Sequence, residues 1–167
     1  NFGTVFCNSA CVNDPTLGPA GGAFWAWFGG VNTANPNAVV PEVSTLTQDV
    51  VIPAGAKQLH FKLRMPTCSG GSADFLSVRV DGVEVFRVDA TDATRCGAAD
   101  YSDEAADISA FADGQKTRTL EFYSEQAVVI DPNTQQVSSF FVDSINFGLA
   151  LCEIGPNDLI FADGFEL

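Results

Sequence analysis

The sequence predicts an all-β domain, an antiparallel β-sandwich of jelly-roll type, and three observations point to it. Apolar and polar residues alternate with period two through the middle of the chain. In Gln58–Met65, Leu59, Phe61, Leu63 and Met65 share one face while His60, Lys62 and Arg64 share the other, the pattern of a half-buried strand. Asp81-Gly82 stands between two further alternating runs and is a strong two-residue hairpin signal. Eight Pro and fifteen Gly separate short apolar runs, as expected of many strands joined by turns.

Taken in order, the elements begin with Phe2–Cys7, a short strand. The run Gly18–Gly30, GPAGGAFWAWFGG, then crowds both tryptophans and two phenylalanines between glycine pairs. Gly is poor inside helices, so a short aromatic strand with hinged ends fits it better. On such a strand Trp25 and Trp27 share a face, with Phe24 and Phe28 opposite. Leu46–Ile52 is a strand closed by Pro53 and the Ala54-Gly55 turn. Phe75–Val80 places Leu76, Val78 and Val80 inward and turns into Val83–Val88. Thr117–Ser124 and Ser139–Leu151 complete seven or eight strands, the last being the longest. Asp107–Ala112 suits one helical or 3₁₀ turn capped by Asp107. Asn32–Pro41 and Asp131–Gln136 read as polar loops. Residues 1–152 form the sandwich, and a Gly155-Pro156 break sets off a tail over 153–167.

Composition narrows the function. At 167 residues and 17.7 kDa one domain with a full core is expected. A 46% hydrophobic content excludes a disordered polar segment. The formal net charge of −13 argues against nucleic acid, since only Lys57, Lys62 and Arg64 approach a basic cluster. Anionic membrane surfaces are disfavoured for the same reason. No apolar run approaches the roughly 20 residues of a membrane span. The chain opens at Asn1 without a leader sequence, which predicts a processed product.

Five cysteines bear on the compartment. Cys7 and Cys11 stand four apart, and Cys68 and Cys96 lie in Gly/Ser/Thr-rich loop sequence. These four suit disulfides in an oxidising compartment, with Cys68–Cys96 as one bridge. Zinc is disfavoured, because no CxxC occurs and His60 is the one histidine. Cys152 is left over, a buried thiol or the partner of a cysteine outside this chain.

The segments NFGTVFC (1–7), Gly18-Pro19, WAWFGG (25–30), LTQDVVIPAGA (46–56), VDG (80–82), DISAFADG (107–114) and FFVDSINF (140–147) together resemble a bacterial secreted jelly-roll module. Such modules are accessory or anchor-associated domains of large exported proteins, and the likeness extends distantly to MAM and carbohydrate-binding jelly rolls. It covers about residues 1–150. The family pattern usually opens a few residues earlier, with a tryptophan-bearing strand that this chain lacks. The ending IFADGFE (160–166) resembles a short C-terminal tail of proteins secreted by Gram-negative bacteria. The resemblance implies a secreted or cell-surface module and a sorting or attachment role for the tail.

Several residues are candidates for a site. Continuous alternation puts Asp143 on the face of Phe141, Ile145 and Phe147, Asp74 in phase with Leu76, and Gln48 in phase with Leu46 and Val50. An inward carboxylate is costly unless paired, hydrogen-bonded or metal-bound. Asp74, Asp143 and Gln48 are therefore candidate ligands of a structural Ca²⁺, whose oxygen coordination they suit and which modules of this type often carry. The alternative is that the two carboxylates cap loop amides, with no ion. Trp25 and Trp27, with Tyr101, are candidates for stacking on sugar rings, although a core is the commoner home for Trp. Tyr123 has no spacing argument behind it.

Catalysis finds little support. No GxSxG surrounds a serine, and His60 points outward between basic residues. The 21 acids could supply a two-carboxylate glycosidase, but no pair stands in a recognisable catalytic context. The expectation is a non-catalytic secreted accessory, adhesion or assembly module with structural calcium. Two ligand classes remain: glycan at exposed aromatics, or further copies of the chain through edge strands or residues 157–167.

Overall fold

The structure, a computed structural model, describes residues 5–11, 16–29, 42–127 and 138–148. It is built from β1 (Phe6–Cys7), β2 (Trp25–Gly29), β3 (Glu42–Val51), β4 (Gln58–Thr67), β5 (Phe75–Val80), β6 (Val83–Asp89), β7 (Ser102–Asp107), β8 (Thr117–Gln126) and β9 (Ser139–Gly148). One sheet has the order β1-β2-β9-β4-β7 and the other β3-β8-β5-β6, every pair antiparallel. From β2 to β9, each strand crosses to the other sheet except at the β5–β6 hairpin, which gives the four-stranded orders 2-9-4-7 and 3-8-5-6. That double Greek key is the jelly roll, and β1 adds an edge to the first sheet.

The alternation in the sequence explains the core. Leu59, Phe61, Leu63 and Met65 of β4 all lie between the sheets, facing Leu76, Val78 and Val80 of β5 and Leu120 and Phe122 of β8. Phe61 meets Phe86 and Phe122 edge-on, with ring centroids 5.1 and 5.4 Å away, an arrangement that aligns ring edges with ring faces across the sandwich. Asp81 and Gly82 both take positive φ, 51° and 79°, the geometry of a type I′ turn that matches strand twist. A 3₁₀ turn spans Ser109–Phe111, and the Asp107 carboxylate accepts from the Ser109 N–H. Cys68 and Cys96 are joined by a disulfide with a Cα separation of 5.9 Å.

Two features depart from the sequence reading. The strand β7, SDEAAD, is present although its residues carry no apolar alternation. Its inward positions are Ala106 and Glu104, and Glu104 is only 6% exposed because Arg95 grips both its carboxylate oxygens. In β9, Ser144 adopts φ 52°, and the pairing with β4 shifts register between His60 and Lys62. This bulge breaks the period of two. Phe140 and Val142 precede it on the inner face and Ile145 follows on that same face. Phe141 and Asp143 therefore lie on the outer face of the five-stranded sheet, not in the main core where continuous alternation places them. Residue 2, Cys152, the loops 32–41 and 131–136, the end of the last expected strand beyond Gly148 and the tail 153–167 lie outside the described residues.

Candidate functional site

An outer face of a sandwich is ordinarily solvated, but here it carries a second, smaller core. Trp25 from β2 and Phe141 from β9 are 2% and 0% exposed, and Cys7 joins them. Trp27, Leu17 and Tyr101 pack around the cluster. Trp27 meets the Phe141 ring at 5.3 Å, edge to face, and Trp25 meets it at 6.0 Å. Ala26 and Phe28, the residues between, belong to the main core. The aromatic strand is thus buried on both faces.

What covers the outer face is the segment 16–21, held as a strap by three side chains from three places. The Asp143 carboxylate accepts from the N–H groups of Ala20 (2.6 Å) and Gly21 (3.2 Å), and its other oxygen accepts from Ser144 N–H. Arg64 of β4 donates from Nη1 to the Thr16 carbonyl (2.9 Å) and from Nε to the Ala98 carbonyl (3.2 Å). Tyr101 donates its hydroxyl to the Gly18 carbonyl at 2.8 Å. Burial and the nearby Asp143 charge push that hydroxyl well above the usual range, so it stays a donor.

Between the strap and residues 99–101 an open cleft of about 510 Å³ remains, within the range of small-ligand sites. Its floor is Lys62 and Arg64 of β4, and its walls are Leu17, Pro19, Ala99 and the Tyr101 ring. Lys62 Nζ lies 2.7 Å from Asp103, itself 83% exposed. Asp100 stands exposed at the rim.

The expected site residues divide accordingly. Tyr101 lines the cleft; Trp25 and Trp27 support the strap beside it and are not among its lining residues. Trp25 is not an exposed stacking platform, because the strap covers it. The three calcium candidates do not converge. Gln48 lies across from Leu120, whereas Asp74 precedes Phe75, which lies across from Glu125. That is five or six residues along β8, roughly 20 Å at strand rise, and Asp143 is on the outside of the other sheet. Asp74 is 3% exposed and accepts from the Ser138 hydroxyl at 2.7 Å. Asp143 is occupied by loop amides, and the Gln48 Oε1 is buried with no hydrogen bond. These residues do not fit one shared ion, and no group of three or more His, Cys, Asp or Glu is placed for a metal among the described residues.

Cys7 and Cys11, expected in a disulfide, are both free, one buried and one exposed. The turn closed by Cys11 N–H to Asn8 O (2.9 Å) returns the chain on itself. Burial and hydrogen bonding with the Cys11 thiol raise the Cys7 thiol well above its usual range. Among the described residues no helix is long and apolar enough to cross a membrane.

Sequence reasoning did not assemble Lys62, Arg64 and the strap into one site. The available signal was the coincidence on one outer face of two tryptophans and two cations, from strands that the jelly-roll order brings near each other. No protein-family model, curated protein or solved structure matches this chain.

Proposed function

We propose that this chain is a non-catalytic recognition module of an exported protein, and that the cleft between the strap and residues 99–101 holds a carbohydrate ligand. The observation that carries this reading is the cleft itself. It is open, has a ring and a proline on its walls and hydrogen-bonding groups on its floor, and is bordered by a strap that three side chains hold through four hydrogen bonds. Sites of this composition suit sugars, whose rings offer C–H faces to aromatics and hydroxyls to polar groups. The resemblance to carbohydrate-binding jelly rolls supports the same reading.

The test is retention of the purified chain on a panel of neutral and acidic glycans, repeated with Ala99→Trp. Ala99 is exposed on the cleft wall, so the added indole fills the cleft without touching the strap's hydrogen bonds. Binding by the parent and its loss in Ala99→Trp is expected. Equal binding by both, or no glycan retained by either, removes the proposal.

Assembly is a second reading, favoured by one observation. The edge strand β3 is ten residues long and carries exposed Val43 and Val51, the kind of edge onto which another strand can add. Light scattering decides it: a 17.7 kDa particle at every concentration removes the reading.

A further inference from the structure

Four of the five arginines are neutralised where they stand. Arg79 pairs with Glu121, Arg87 with Glu84, Arg95 with Asp92 and Glu104, and Arg118 with Asp81 and Asp113. Arg64 has no such partner among the described residues. It is only 9% exposed, and it donates to two neutral carbonyls, those of Thr16 and Ala98. Carbonyl dipoles orient a guanidinium but do not cancel its charge, and a desolvated cation without a counter-ion is costly. Among the described residues, its hydrogen bonds run from Nε and Nη1 only.

Among the described residues no neighbouring carboxylate forms an ion pair with this guanidinium. Asp143, on the same face and across from Lys62, keeps its charge but spends its hydrogen bonds on the amides of Ala20, Gly21 and Ser144, so it gives Arg64 a field and no contact. Asp100 is at the exposed rim, where water screens it. Lys62, two positions earlier on the same strand and face, adds a second cation to the cleft floor. Its partner Asp103 is 83% exposed, and such pairs contribute less than about 1 kcal/mol, so the ammonium is readily redirected.

We infer that the ligand of this cleft carries a carboxylate: it is an acidic oligosaccharide whose carboxylate is taken by Arg64 and Lys62. The inference rests on the reading of the cleft as a sugar site. A planar carboxylate matches a guanidinium fork, and the lysine adds a point charge. The net charge of −13 limits the ligand further. Beyond the screening distance of about 8 Å in physiological salt it is unfelt, but a long polyanion would lie across acidic surface and be repelled. A short saccharide with one or a few carboxylates meets the two cations and little else.

The experiment titrates the folded chain with trigalacturonate and its fully methyl-esterified form, and with 3′-sialyllactose and lactose. Each acid is expected to bind at least about tenfold more tightly than its uncharged counterpart, the size of one charge-assisted pair. In Lys62→Gln, a half-buried position whose urea midpoint checks folding, that ratio falls towards one. Arg64→Lys, which keeps the charge and loses the fork, lowers it as well. Equal binding of acid and uncharged forms overturns the carboxylate and leaves the sugar site standing. Binding of none of the four overturns the carboxylate inference, and the wider glycan panel then decides the sugar reading separately.

Discussion

Removing the Asp143 carboxylate tests how the strap is held. Asp143→Ala takes away the acceptor of three backbone N–H groups, those of Ala20, Gly21 and Ser144. A hydrogen bond to a charged group is worth about 1.5–3 kcal/mol when buried. The site is partly open to water, which replaces some of each bond, so about 1 kcal/mol apiece is the fair figure and the loss is about 2–4 kcal/mol. For a domain of this size that lowers the melting temperature by about 5–15 °C. The assay is urea unfolding followed by tryptophan emission. Both tryptophans of the chain, Trp25 and Trp27, lie in the cluster that the strap covers, so a loosened strap reddens the native-state emission before global unfolding. Tyr101→Phe, which deletes the bond to the Gly18 carbonyl, should be non-additive with it, because both act on the same strap. The same shift in Ca²⁺ and in EDTA is expected, since the partners are amides and not an ion. A stability change within about 0.5 kcal/mol with unaltered emission would refute the strap, and a loss confined to calcium-containing buffer would restore the metal reading.

Gly29→Ala is expected to destabilise by about 2–5 kcal/mol, measured as a shift in urea midpoint at constant slope. Gly29 has φ 90°, and an added Cβ would stand 1.8 Å from Gln126 Nε2 and 2.4 Å from the Ser138 carbonyl; a neutral outcome would mean that this approach relaxes freely. Replacing Cys68 and Cys96 by Ser opens a loop with a sequence separation of 28 and should cost about 3–4 kcal/mol on the chain-entropy estimate. Free thiols at both positions in non-reducing peptide maps would defeat that expectation. Stability should also fall with acid. Asp92, held by the Thr94 hydroxyl and Arg95, and Asp113, held by the Lys116 and Gln115 amides, titrate at about 2, and Asp81, Asp89 and Asp107 are lowered too. Each is lower in the folded chain than the unfolded value of about 3.9. Protons therefore bind the unfolded chain first as pH drops. The stabilisation is complete above about pH 5 and is lost progressively towards pH 2; a flat melting temperature across that window would contradict it.

The parts of the fold that were legible are those in which side-chain chemistry follows the pleat. In β4 every second residue is large and apolar, and each of these four is in the core. The hairpin was legible because Asp81 and Gly82 tolerate the positive φ that the turn demands. The strand β7 was not, because its burial is made by a distant charge: Glu104 is inward only because Arg95, nine residues earlier, neutralises it. A pattern of hydrophobicity has no symbol for a paired acid.

The candidate site was illegible for a different physical reason. Period two tells which residues share a face and says nothing about what lies on that face. The sequence placed Trp25 with Trp27, and Lys62 with Arg64, correctly on shared faces, yet each pair read as solvent-facing or core by default. Two local departures decide the matter. The left-handed Ser144 turns Asp143 outward, and the strap is free of side-chain bulk at Gly18 and Gly21, so that its backbone can be gripped from beneath. Asp143, Arg64 and Tyr101 each use their polar atoms on strap backbone, contacts to peptide groups that any residue type could present. Recognition by backbone leaves almost no trace in sequence, and a cleft whose one wall is such a strap can be found only once the strap is in place. The placement of Arg64 beside Lys62 on one face is the part that alternation does show, and the proposed ligand chemistry turns on the fact that, among the described residues, the structure gives that guanidinium carbonyls and no carboxylate.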